Sequence, residues 1–541
     1  MNFDSNKLQQ IELDKLLNFY KKRKFEEAEK LASSLSEVYP DNISYLKVLA
    51  EIYRIQKRHE ELLKVSRKIL ELSPQNYEMY NIIGFVLSDL GKFKESIAAF
   101  RKLIEIKPDN YVAYCNLGVS LTKDNDLEEA IKSLKKSIEI KSDFSVAYNN
   151  LGETYIRLSQ LNNAEFNFKK ASELDSTLHS AFFNLGSTQF KLGKITEAEI
   201  SFKKSLKLKE NYHIAHCQLA HVQTELAKNR EAELSYLNAL HLKKDYSPAN
   251  YGLGILYYQQ KNFKEASKYF LLAENFKDSQ NYVLRCFYNE DEKDNFYVQL
   301  DKMITEDINN CVMGSLIMRS ENRYGIKRNN IFCKEPMKYI SKIDLTAEIN
   351  FENIFVNTAK NILDKHDFRN QPLLTKGQQS SGNLFLIEND SIKKIENILL
   401  SEIKKYRNYF KNSNEGLIKN WPIEFELYGW LVKMKNGGSL KPHMHDNGWL
   451  SGSVYINIPK KNKPNSGNLV LSNDYDKTHT AYTPRKKRSS SFFSKNKRQT
   501  RNIDLITGNL CLFPSSLLHH TVPFESEDDR IVLAFDVVPK S

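Results

Sequence analysis

Residues 111–143 read YVAYCNLGVSLTKDNDLEEAIKSLKKSIEIKSD, and the same pattern recurs on both sides at a fixed interval. Pro40, Pro74 and Pro108 are 34 residues apart, and Ser142, Ser176, Glu210 and Lys244 continue the series at equivalent turns. Ala50, Gly84, Gly118, Gly152, Gly186, Ala220 and Gly254 form a second column. A third, Ser96, Ala130, Ala164, Ala198, Ala232 and Ala266, is small, and four residues later Phe100, Leu134, Phe168, Phe202, Tyr236 and Phe270 are mainly aromatic. Small residues let two antiparallel helices approach, and the aromatic is expected to fill the gap toward the next pair.

These columns resemble the tetratricopeptide repeat over residues 6–278. The resemblance implies seven full repeats and a partial N-terminal helix pair around Phe25 and Ala28. Stacked pairs form a superhelix, because each repeat buries its apolar face only against its neighbours. Its concave groove is expected to hold a peptide or partner protein. Asn116, Asn150 and Asn184, in CNLG, NNLG and FNLG, resemble the asparagine ladder with which some tetratricopeptide enzymes grip an extended backbone. An amide offers donor and acceptor together, which matches a peptide unit. The alternative is that asparagine before Leu-Gly is a plain repeat feature, and the ladder fades at Gln218 and Gly252.

A chain of 541 residues is too long for one core, so several domains are expected. With 41% hydrophobic and 27% charged residues it is too apolar for a disordered chain. No stretch approaches 18 consecutive apolar residues, and MNFDSNKLQQIELDKLL lacks a secretory h-region, so no transmembrane segment and a cytoplasmic location are expected. Cys115, Cys217, Cys286, Cys311, Cys333 and Cys511 are scattered without CxxC pairs, which predicts buried reduced thiols rather than a disulfide framework. Much of the net charge of +12 comes from the run 485–501, which has eight Lys/Arg and no acid. The run reads as a solvated insertion, with attraction of acidic peptide, nucleic acid or membrane headgroups as the alternatives.

Beyond the repeats, residues 279–345 are expected to form a helical cap and connector, because an end repeat must not expose its apolar face. The segment SIKKIENILLSEIKKYRNYF, 391–410, reads as one amphipathic helix packed on a sheet. After residue 424 the period shifts toward two: FELYGWLVKM, LSGSVYINIP, GNLVLS, GNLCLFP and RIVLAFDVVP are separated by glycine-containing turns. Such strands indicate an antiparallel jelly roll. Alternation places Val454, Ile456 and Ile458 on one face and Ser453, Tyr455 and Asn457 on the other.

His443 and His445 precede the Ser453 strand, and His519 and His520 follow GNLCLFPSS. A mononuclear iron centre with open positions is commonly held by two histidines and a carboxylate, the first two ligands from an HxD or HxE pair. Here the pair is HxH. HMHDNGWLSGSVYINIP, GNLVLS and GNLCLFPSSLLHHTVPFESEDDRIVLAFDV resemble the Fe(II)/2-oxoglutarate-dependent oxygenases often fused to tetratricopeptide repeats, and more distantly aspartyl/asparaginyl β-hydroxylase. The resemblance covers 425–541 strongly and 346–424 weakly.

It implies a double-stranded β-helix with flanking helices over 346–541, Fe(II) and 2-oxoglutarate as cofactor and cosubstrate, and dioxygen as oxidant. In such enzymes the second histidine follows a phenylalanine by six positions, which selects His519 after Phe513 over His520. Arg530 has the spacing of the arginine that binds the distal carboxylate of 2-oxoglutarate, as a two-pronged clamp. Tyr455 is a further candidate contact to the cosubstrate. His443 and His519 are the shared ligand pair, while the third position falls to His445, to Asp446 by a shifted register, or to water. The expected protein is thus multidomain: an all-α superhelix (1–278), a cap (279–345) and a jelly roll (346–541). Its expected activity is hydroxylation of a peptide or protein side chain held by the groove. The alternatives are the same chemistry on a small molecule, or a repeat scaffold whose jelly roll binds metal without turnover.

Overall fold

Each 34-residue period folds as two antiparallel helices, as in Tyr111–Lys123 with Leu127–Ile140. Local chemistry starts them. The Asn110 carboxamide accepts from the Ala113 amide at 3.0 Å, and the Asp126 carboxylate does the same for Glu129. The computed structural model describes residues 2–365, 368–474 and 499–540. Among them eight helix pairs run from Asn2 to Leu272: a complete N-terminal pair, Asn2–Lys21 with Phe25–Val38, and seven repeats. The chain divides into two compact units, Met1–Leu256 and Tyr257–Ser541. No helix is long and apolar enough to cross a membrane among the described residues.

The small column is fully buried, with Ala130, Ala164 and Ala198 at 0% exposure. The large column shares its core with the next pair, as expected: Phe100 clusters with Leu117 and Leu121, Phe168 with Leu185, and Phe202 with Leu219 and Val222. A Cβ added at Gly152 would lie 2.7 Å from the Phe168 ring, and Phe100, Leu134 and Phe202 likewise stand against the glycines of their own repeats, so these side chains also close the gap within the pair. Tyr236 is the informative exception. Its own repeat carries Ala220 in the glycine column, and its ring instead abuts Gly252 of the following repeat, where a Cβ would meet it at 2.4 Å.

In the second unit, helices Ser279–Glu290, Lys293–Thr305 and Cys311–Tyr324 lead into ten antiparallel strands. These are β1 (Ser341–Asp344), β2 (Phe368–Asn370), β3 (Leu374–Ser380), β4 (Phe425–His443), β5 (Leu450–Asn457), β6 (Leu469–Ser472), β7 (Thr500–Ile503), β8 (Asn509–Pro514), β9 (Leu518–Thr521) and β10 (Arg530–Pro539). The order is β1-β8-β5-β10-β4-β9-β6-β7, with β3 beside β4 and β2 beside β3. This curled antiparallel sheet with flanking helices is the jelly-roll architecture.

Period-two alternation separates two apolar layers. Leu450, Val454, Ile456, Leu510, Leu512, Leu533, Phe535 and Val537 pack outward on the helices, including Asp390–Tyr409 through Ile395, Leu399 and Ile403. Leu284, Phe296, Leu300 and Leu316 belong to that same core, so the segment expected as a cap shares its interior with the sheet. Tyr455, Leu471, Cys511, Phe513 and Val532 form the inner layer. Ile458, expected beside Val454, joins this inner layer, because β5 ends at Asn457 and the alternation stops there. All six cysteines are buried and none is in a disulfide. Of the basic run, residues 485–498 lie outside the described residues, and Arg501 lies in β7.

Candidate metal centre

Strand pairing assembles the histidines. His443 at the end of β4 is the cross-strand partner of His519 in β9, and their ring centroids are 4.2 Å apart. His445, two residues beyond β4, brings its ring to 5.1 Å from His443 and 4.7 Å from His519. One ligand nitrogen from each of the three lies within 4.8 Å of the others, a group able to hold a metal ion. His520 alternates to the opposite side of β9, across from Val470, and is outside the group. The Phe513 ring stands edge-on to His519 at 5.0 Å, and Trp430 stands edge-on to His445 at 5.2 Å.

The hydrogen bonds orient the rings. His443 Nδ1 lies 2.9 Å from the Lys441 carbonyl, and His519 Nδ1 lies 3.4 Å from that of Leu517. A carbonyl only accepts, so these Nδ1 atoms carry hydrogen. His445 Nδ1 lies 2.7 Å from the Asp536 carboxylate, which fixes its hydrogen in the same way. With both Nδ1 atoms occupied, neutral His443 and His445 would face each other lone pair to lone pair across the 3.2 Å between their Nε2 atoms. That arrangement needs a cation between them, a proton or a metal ion.

The electrostatics agree. Burial, then the nearby charge of His445, pushes the His443 imidazole down to about 4. Burial and the two neighbouring imidazoles hold His519 well below the ordinary histidine range. His445 moves the other way: burial opposes its charge, but Asp536 more than offsets this.

Asp446, an alternative for the third ligand position, is committed elsewhere. Its carboxylate forms a two-pronged ion pair with Arg285, one arm at 2.7 Å, and it is outside the three-histidine group. The Cys311 thiol, 3.2 Å from the carbonyl oxygens of both His445 and Asp446, holds the same loop.

The histidines line a cavity of about 310 Å³ that also exposes Arg530, Tyr455, Ser453, Gln379, Leu469 and Thr521. Arg530 is 2% exposed. Its Nη2 donates to the Gly467 carbonyl at 3.0 Å, its guanidinium lies 5.3 Å over the Tyr455 ring, and its buried Nε has no hydrogen-bond partner. No described carboxylate pairs with it, and burial pushes its pKa down. An unpaired buried cation costs several kcal/mol. A site that keeps one, opening on a cavity, is suited to an anion from outside. The donor set of three imidazoles and one buried guanidinium therefore fits Fe(II) together with 2-oxoglutarate.

Two residues that sequence patterning missed are Asp536 and Arg285. Asp536 could have been flagged as the one charged residue inside the apolar run IVLAFDVV; Arg285 carries no such signal. In the repeats, the three asparagines bridge to the preceding repeat. Asn116 Nδ2 donates to Asn81 Oδ1 at 3.4 Å, Asn150 Nδ2 to Cys115 Sγ at 3.2 Å, and Asn184 Nδ2 to Asn149 Oδ1 at 3.1 Å and Glu153 Oε1 at 3.0 Å.

Residues 428–536 match a family model described as "Putative 2OG-Fe(II) oxygenase". Tetratricopeptide repeat models match residues 77–110, 99–132, 145–178, 179–212 and 217–281. No curated protein matches the chain significantly. Among solved structures, the chain is similar to MamA (25% identity, 29% of this chain and 92% of that one, TM-score 0.28). It is also similar to YrrB, titled a TPR protein with an unusual peptide-binding site (24% identity, 35% and 96%, TM-score 0.32). A third is PilF of Pseudomonas aeruginosa (19% identity, 39% and 95%, TM-score 0.36). The chain joins tetratricopeptide repeats to a C-terminal domain of the 2OG-Fe(II) oxygenase family.

Proposed function

We propose that this protein is an Fe(II)- and 2-oxoglutarate-dependent hydroxylase acting on a peptide or protein side chain. The carrying observation is that three converging imidazoles and an unpaired buried guanidinium share one cavity. His443, His445 and His519 would hold the metal, leaving the remaining coordination positions for cosubstrate and oxidant. Arg530 would pair with the far carboxylate of 2-oxoglutarate through a charge-assisted clamp, with the Tyr455 ring beneath its guanidinium. Leu469 and Val532 give the cavity an apolar wall, with Phe513 in the same inner layer, which would limit the access of bulk water. Bound iron supplies the activation of dioxygen for the net reaction, in which one oxygen atom enters succinate as carbon dioxide leaves and the other enters a C–H bond of the substrate.

The repeats support a macromolecular substrate, since stacked helix pairs offer an extended surface for a peptide. Asn116, Asn150 and Asn184 are the groove residues proposed to meet it, through their Oδ1 acceptors, since these inter-repeat contacts engage their Nδ2 donors. The test is to trap partners on the His519→Ala protein, identify the bound peptide by mass spectrometry, and supply it to the wild-type enzyme with Fe(II), 2-oxoglutarate and oxygen. Succinate release stimulated by the peptide, with a gain of one oxygen atom on it, is the expected result. Stimulation by no peptide, with succinate formed only alongside a small hydroxylated molecule, would overturn the peptide assignment.

A further inference from the structure

Asp536 lies on the inner face of β10, in line with Arg530, Val532 and Ala534, and is 7% exposed. Its Oδ1 accepts from His445 Nδ1 at 2.7 Å and from Ser451 Oγ at 2.7 Å. The Ser451 hydroxyl, its hydrogen given to Asp536, takes one from Ser515 at 2.8 Å. The backbone closes over the cluster: a Cβ at Gly448 would come within 2.6 Å of Ser515 Oγ and 3.0 Å of Asp536 Oδ1. Among the described residues its only ion-pair partner is His445.

The ligand set explains why a carboxylate stands there. Three imidazoles are neutral, so they leave the whole charge of a divalent ion in place, where an iron site of this kind ordinarily has a carboxylate ligand to reduce it. His443 and His519 rest their Nδ1 hydrogens on backbone carbonyls, and only His445 rests on a charge. We propose that Asp536 is a positioning residue that acts through His445, orienting its Nε2 toward the metal and lending the site, across the imidazole, the negative charge that its ligands lack. This rests on the three histidines being the metal ligands. A carboxylate behind a ligating histidine makes the ring a stronger donor and fixes its tautomer, and its loss costs about 10–100-fold in metal affinity.

The experiment uses the full chain and Co(II), whose visible spectrum reports coordination without turnover. Asp536→Asn is expected to weaken Co(II) binding about 10–100-fold and change its visible bands. It is also expected to move the charge-transfer band of the Fe(II)–2-oxoglutarate complex to shorter wavelength, because a less electron-rich metal gives up charge less readily. Asp536→Glu should recover part of the affinity. In the His445→Ala background, Asp536→Asn should have no further effect. Wild-type affinity and unshifted bands in Asp536→Asn, or an equal loss in the His445→Ala background, would overturn the proposal. Should Asp536→Asn fail to fold, Ser451→Ala leaves the carboxylate in place but unanchored. A few-fold loss of Co(II) affinity is then expected, and wild-type affinity contradicts the proposal. Wild-type protein that binds no Co(II) would instead remove the three-histidine reading itself, and this inference with it.

Discussion

The repeats and the sheet spend their side chains in opposite ways. From Gly84 to Phe202 the same contact, a large apolar side chain on the glycine of its own repeat, is made again every 34 residues, and each copy serves only its neighbours. In the sheet, His443, His445, His519, Arg530 and Asp536 each occur once and meet around one cavity. Distributed packing makes the first region tolerant of single losses of function and sensitive to local strain. Convergence makes the second intolerant of a single loss of function even when the fold survives.

Substitutions should separate the two regions. The largest effect is expected for His519→Ala, which should abolish stoichiometric Fe(II) or Co(II) binding by metal analysis while the helical circular dichroism stays unchanged. Next, Arg530→Ala should keep the metal and weaken 2-oxoglutarate about 100-fold by equilibrium titration, as expected for loss of a charge-assisted contact worth ~3 kcal/mol. In the repeats, Gly152→Ala places a methyl 2.7 Å from the Phe168 ring and should cost about 1–3 kcal/mol of helical stability. It should leave metal binding and fluorescence melting alone, since Trp421, Trp430 and Trp449 all lie in the second unit. A fluorescence transition that shifts as much as the helical one would break the comparison.

The smallest effect concerns pH in the metal-free protein. His443 is held down to about 4 in the folded chain, below the ~6.5 of an unfolded imidazole. The unfolded state therefore binds the extra proton between those values, and the stability present above pH ~6.5 is lost as pH falls toward 4. His519 acts in the same direction, whereas His445, raised by Asp536, contributes stability at low pH that is lost as pH rises. Two against one, the fluorescence midpoint should fall by about a few degrees between pH 7 and 5. Bound metal should steepen the drop, because it holds all three imidazoles deprotonated in the folded chain while the unfolded chain still takes up protons.

How much could be read beforehand follows the same division. Repeat boundaries, helix pairs and the 391–410 helix show as periodicity, which needs only neighbouring residues. A column does not say that an aromatic also covers the glycine of its own repeat, so the contact of Phe168 with Gly152 had to come from the structure. In the sheet, His443 and His519 were legible because local motifs and strand pairing bring them together. The His445–Asp536 and Arg285–Asp446 contacts span 91 and 161 residues, and no local pattern encodes them. The same holds for Ile458, whose face depended on where β5 stops.

The central claim is that the cavity between the histidines and Arg530 is built for Fe(II) and 2-oxoglutarate together. Adding both to the intact protein without oxygen should produce a weak visible charge-transfer band that neither gives alone. The band should be absent in His443→Ala, and admitting oxygen should bleach it as succinate appears. Iron bound at one equivalent by metal analysis, with no band and no succinate, would contradict the account.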